Sequence, residues 1–175
     1  MKNLRHEIPA RSFINAQIIQ AARSTNDFKA AIQNVLSLPL YSKQGLNEYQ
    51  FENPAYIASL LYCLIVVPKE LWAKTKDSKI YREIEKHDPQ KFFQVTKSSA
   101  KDEEFPVFHF IRHIRNAVSH ANYSIDINLT FTFWDMPQGK SDAEWEVVVE
   151  ANNLMNFLSL VGSTLANEGL TNQLS

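Results

Sequence analysis

Between residues 115 and 120 the chain reads Arg-Asn-Ala-Val-Ser-His, so a permanent cation, a carboxamide and an imidazole fall within six residues. RNA cleavage uses groups of these kinds. An imidazole titrates near neutral pH and can move a proton to or from a ribose 2′-hydroxyl or a leaving 5′-oxygen. A guanidinium can hold a phosphate as negative charge develops on it, and a neutral amide can orient either partner. With the 2′-hydroxyl as nucleophile no metal is required, which accords with the lack of a carboxylate cluster beside these residues in the sequence. The competing possibility is a polar helix face that serves only association between chains.

The element that must carry these groups is a helix. From Phe105 onward, Val107, Phe110, Ile111, Ile114, Ala117, Val118 and Ala121 recur at the i, i+3, i+4, i+7 spacing of one apolar stripe. Opposite that stripe the periodicity places His109, Arg112, His113, Asn116, His120 and Tyr123, and positions 109, 113, 116, 120 and 123 form a ribbon by alternate steps of four and three. A merely solvated face would use lysine and glutamate, which favour helix and solubility.

Around this helix the sequence predicts a bundle. Phe13, Ile14, Ile18, Ile19 and Ala22 make one stripe, and after a break at residues 24–27 Phe28, Ala31, Ile32, Val35 and Leu36 make another. Following the loop of residues 39–54, Asn53 is a candidate N-cap and Pro54 a first helical residue, opening an apolar helix to about Lys74 that Pro68 should kink or end early. Residues 78–97 read as a polar helical segment interrupted at Asp88-Pro89. After Tyr123 the period becomes two: Ile125, Ile127, Leu129, Phe131 and Phe133 alternate with polar residues, Pro137-Gln138-Gly139-Lys140 supplies a turn, and Trp145, Val147 and Val149 return. A last amphipathic helix, through Leu154, Phe157, Leu158, Val161 and Leu165, should end before Gly169.

Composition narrows the function classes. The chain has 175 residues, 45% hydrophobic and 21% charged, which fits one globular domain over residues 1–175. The net charge is −1, so no global basic field suits the wrapping of long duplexes, and DNA is not an expected partner. The charge is uneven: nine Lys and Arg against five Asp and Glu lie between Lys69 and Lys101, and one Lys against seven acids from Asp126 onward. That asymmetry permits a phosphate-facing side, with Lys74, Lys76, Lys79 and Arg82 as candidates to guide RNA.

The lone Cys63, in LLYCLIVV, makes no disulfide framework and reads as a core thiol in a reducing cytoplasm. The run from Ala55 to Val67 is too short to span a bilayer, and the N-terminal residues lack a signal-peptide core, so a cytoplasmic protein is expected. His109 and His113 have a metal-sharing spacing, but no carboxylate or thiolate accompanies them, so no metal and no cofactor is expected. Ser119 and His120 are helix neighbours pointing about a hundred degrees apart, which excludes a nucleophile–base pair. With four glycines, the chain carries neither a Walker motif nor a dinucleotide fingerprint.

The helical R-N-x-x-x-H of Arg115, Asn116, Ala117, Val118, Ser119 and His120 resembles the motif of the HEPN domains (higher eukaryotes and prokaryotes nucleotide-binding). These are small α-helical bundles, many of them metal-independent endoribonucleases of toxin–antitoxin, phage-defence and RNA-processing systems. The resemblance implies a mainly α fold, about five to six helices with a β-hairpin inserted before the C-terminal helix. It makes Arg115 and His120 the catalytic pair and Asn116 the polar residue beside the arginine, with Arg112, His113 and Tyr123 as further substrate contacts. It also implies a homodimer in which two motif helices face each other over a composite site, an RNA substrate, and an antitoxin protein as a conceivable partner. Relatives without nuclease activity keep a second reading open, a module for RNA or nucleotide binding or for scaffolding.

Overall fold

A computed structural model describes residues 7–43, 53–71, 78–98, 106–137, 139–140 and 142–171. The architecture is mainly helical, with a small antiparallel sheet before the C-terminal helix. Helices α1 (Ile8–Ala22), α2 (Asn26–Leu36) and the short α3 (Pro39–Ser42) come first. The Thr25 hydroxyl accepts from the Phe28 N–H and starts α2 at the expected break. The start of the expected loop of residues 39–54 is thus the helical turn α3. In α1 the side packed on the core carries Pro9, Phe13 and Ala16, not the isoleucines of the expected stripe.

Asn53 caps α4 (Pro54–Leu61) as expected, its Oδ1 accepting from the Tyr56 N–H at 3.0 Å. Pro68 does not end the helix. The chain widens into a π-helical stretch, Tyr62–Val66, in which the Val67 N–H reaches back to the Tyr62 carbonyl, and continues as α5 (Val67–Leu71). That widening accommodates the hydrogen bond a proline cannot donate. Lys74, the expected end of this helix, lies outside the described residues, as do Lys76 and Phe105. Cys63 is half-buried in the π stretch and is not sealed in the core.

Helix α6 (Lys79–Glu85) ends before the proline; Asp88 turns left-handed at φ 44°, and a 3-10 turn, Pro89–Phe92, leads into strand β1 (Gln94–Lys97). Residues 94–97 are therefore extended, not helical, because Pro89 ends the helical register and the following Val95-Thr96 suits a strand. After α7 (Pro106–Ser119) come β2 (Tyr123–Ile125), β3 (Thr130–Asp135) and β4 (Trp145–Glu150), in the sheet order β1-β4-β3-β2.

The expected hairpin is β3 with β4, running from Thr130↔Glu150 to Asp135↔Trp145. The single strand expected from Ile125 to Phe133 is instead two. Asp126 Oδ1 accepts from the N–H groups of Asn128 and Thr130, both at 2.9 Å, and Leu129 sits at φ 59°. This side-chain-capped turn folds β2 back on β3 and leaves Ile127 97% exposed at its tip.

Helix α8 (Ala151–Thr171) runs past Gly169, since one glycine costs a long helix only about 1 kcal/mol. Its Leu154, Phe157, Leu158, Val161 and Leu165 are buried between α1, α6 and the sheet. Edge-to-face rings join the layers: Phe93 lies 4.8 Å from Phe110 and 5.1 Å from Phe157, and Phe110 lies 5.6 Å from Trp145. Gly162 lets α1 approach, because a Cβ there would stand 2.3 Å from Phe13 Cδ2. Among the described residues no helix is long and apolar enough to cross a membrane.

Candidate functional site

Helix α7 buries Val107, Phe110, Ile111, Ile114 and Ala117 against β3 and the π stretch, which fixes the rotation of the whole motif. One polar residue joins them. His113 is 5% exposed, stacked on the Trp145 ring at 5.0 Å and 15°, and not on the outer ribbon. The stripe is wider than its apolar members suggest, because β3 offers a polar partner at that height. His113 Nδ1 lies 2.7 Å from Asp135 Oδ2, so this nitrogen carries the proton and donates to the carboxylate.

The same carboxylate oxygen accepts from Asn116 Nδ2 at 2.9 Å, and Asn116 Oδ1 accepts from Arg115 Nη1 at 3.1 Å. Burial alone would raise the Asp135 carboxyl. The hydrogen bonds from His113 and Asn116, with the positive potential of His113 and Arg112, outweigh it and hold the group below its ordinary value. Asp135 therefore stays ionised where an ordinary carboxylate begins to protonate, and its contribution to stability is lost as pH falls through and below the ordinary carboxylate range.

His120 has a different setting. The helix stops at Ser119, and His120 occupies the C-cap, its side chain exposed. The Ala121 N–H returns to the Val118 carbonyl at 3.3 Å and the Asn122 N–H to the Ala117 carbonyl at 2.8 Å, with Ala121 left-handed at φ 54°. This is a Schellman closure with alanine where glycine is usual. The apolar stripe thus ends before Ala121, and Tyr123 is not on the helix. It opens β2 opposite Phe133, its ring 6.0 Å from that of Phe133.

The structure thus brings His113 and Asn116 onto Asp135, with Arg115 on the Asn116 amide and the charge of Arg112 felt at the carboxylate, and sets His120 at the exposed helix end, with Tyr123 three residues on across the cap. Sequence reasoning missed Asp135. A signal existed: Phe131, Phe133 and Asp135 share one phase of the period-two run, so a carboxylate stood where an inward apolar residue was due. Among the described residues no three His, Cys, Asp or Glu side chains cluster as metal ligands.

No curated protein and no solved structure matches the chain. A family model described as HEPN pEK499 p136 matches residues 1–171. With a helical body, a sheet before the last helix and a match over nearly its full length, the chain belongs to this HEPN family.

Proposed function

We propose that the protein is a metal-independent endoribonuclease that cleaves single-stranded RNA by attack of the ribose 2′-hydroxyl, working in the cytoplasm as a toxin or phage-defence component. Family membership already suggests a nucleotide-binding or RNase-like module. One observation carries the finer reading: an exposed imidazole, His120, follows an arginine whose guanidinium is held by the neighbouring amide of Asn116. In the reaction the 2′-oxygen bonds to phosphorus and the 5′-oxygen leaves, giving a 2′,3′-cyclic phosphate and a 5′-hydroxyl. His120 takes the 2′-hydroxyl proton or gives one to the 5′-oxygen, and Arg115 holds the phosphate as charge builds. Arg112 and Tyr123 contact RNA nearby, while His113, sealed on Trp145, contributes from behind.

We propose a homodimer with two motif helices facing each other, so that the site is composite, with an antitoxin protein as a further partner. The test is digestion of a mixed single-stranded RNA in excess chelator across pH. A bell-shaped rate near neutrality with cyclic phosphate ends is expected, and strict dependence on a divalent ion contradicts the reading. A binding or scaffold module is the second reading, favoured by the engagement of His113 and Asn116 with Asp135. RNA binding without cleavage at any pH would select it.

A further inference from the structure

We infer that Asp135 is a positioning residue of this site, acting on Arg115 through the amide of Asn116. This rests on the ribonuclease reading for its catalytic consequence, while the tether itself is testable without it. Asp135 stands at the end of β3, paired in register with Trp145 of β4, and the Trp145 ring underlies His113. The hairpin therefore delivers two groups to one turn of α7, a carboxylate and the aromatic floor beside it.

The amide of Asn116 has two orientations, and its neighbours permit one. With Nδ2 toward Asp135 Oδ2 at 2.9 Å, Oδ1 faces Arg115 Nη1 at 3.1 Å. The flipped amide would set oxygen against carboxylate and N–H against guanidinium, losing both hydrogen bonds and adding two repulsions. The carboxylate thus decides which way the amide points, and the amide decides where one guanidinium nitrogen rests. His113 braces the other side: its Nδ1–H donates to the same oxygen from a ring fixed by stacking, so Oδ2 is located by two donors three residues apart on α7. A charge-assisted chain of this kind holds a long arginine to one rotamer more tightly than solvent would. In this arrangement Asp135 acts through His113 and Asn116.

The test compares the full-length wild type with Asp135→Ala, Asp135→Asn, Asn116→Ala and the double variant Asp135→Ala/Asn116→Ala. A positioning role predicts that Asp135→Ala lowers kcat about 10- to 100-fold with KM changed less than about twofold, as expected when a transition-state contact is displaced by an ångström or so. Asp135→Asn, which keeps an acceptor oxygen in place, should recover most of the loss. The double variant should be no slower than Asn116→Ala, since the link between them is already cut. Equal further loss in the Asn116→Ala background would overturn the proposal in favour of a general structural role. An Asp135→Asn variant as slow as Asp135→Ala would overturn it in favour of direct proton transfer.

Nitrogen-15 NMR of the same proteins reads the tether independently of cleavage. The Asn116 side-chain amide and the Arg115 Nε–H signals should both move in Asp135→Ala, and unmoved signals would contradict the proposal whatever the enzyme does. If the signals move but the wild type cleaves no RNA, the tether stands and the failure belongs to the ribonuclease reading.

Discussion

Helices α7 and α1–α2 read alike in the sequence, each an apolar stripe at helical spacing, yet the folded chain uses them in opposite ways. In α7 six residues are buried, among them Ile114 at 0% exposure and the polar His113. In α1 only Pro9 is fully buried and in α2 no residue is, while Ile14 and Ile18 stand 52% and 59% exposed. The difference teaches that periodicity reports a stripe without reporting what it meets. A stripe meeting a sheet and a π-helical stretch becomes core. One at the margin of the molecule leaves part of itself outside.

Truncating one isoleucine in each region should separate the two helices most widely. Ile114→Ala should cost about 2–5 kcal/mol, because a fully enclosed side chain leaves a cavity directly under the motif. Ile18→Ala should stay within roughly 0.5 kcal/mol of the parent. Urea unfolding of both variants checks this, and equal losses would mean that α1 is buried in solution by a contact absent from the isolated chain.

The contact that seats α1 on α8 gives the next effect. In Gly162→Ala the new Cβ would meet Phe13 close to the root of its ring, at 2.8 Å from Cγ. Overpacking of about 1–3 kcal/mol should exceed the roughly 1 kcal/mol that alanine gains in a helix. A melting temperature unchanged or raised would show that α1 shifts off α8 at little cost.

Much of this arrangement was legible. The motif helix, the Asn53 cap, the β3–β4 pairing and the buried face of α8 all follow from spacing and end signals, which are local properties of the chain. What escaped depends on long-range partners or on a single side-chain bond. The Asp126 turn splits one alternating run into two strands, although the pattern on either side of it is continuous. Likewise His113 belongs to the polar set by type but is drawn inside by Asp135, 22 residues away. Of the candidate site, Arg115, Asn116 and His120 are legible as a motif, and the carboxylate that holds Asn116 only as an acid in an apolar phase.

The smallest effect concerns the cap that presents His120. Ala121 is left-handed at φ 54°, a conformation glycine adopts without steric cost, so Ala121→Gly should stabilise the chain by up to about 1 kcal/mol. If the strained turn also aims the imidazole, the variant should cleave RNA more slowly while unfolding at higher denaturant. Unchanged cleavage with greater stability would separate the cap from the chemistry.

RNA cleavage by His120 and Arg115 is tested most directly by His120→Ala prepared beside the wild type, both shown to be folded by circular dichroism. Each is incubated with mixed single-stranded RNA in excess chelator, and the product ends are identified. Cleavage by the wild type to 2′,3′-cyclic phosphate ends, lost in His120→Ala, is the predicted result. Equal cleavage by both proteins, or cleavage by neither, would contradict it.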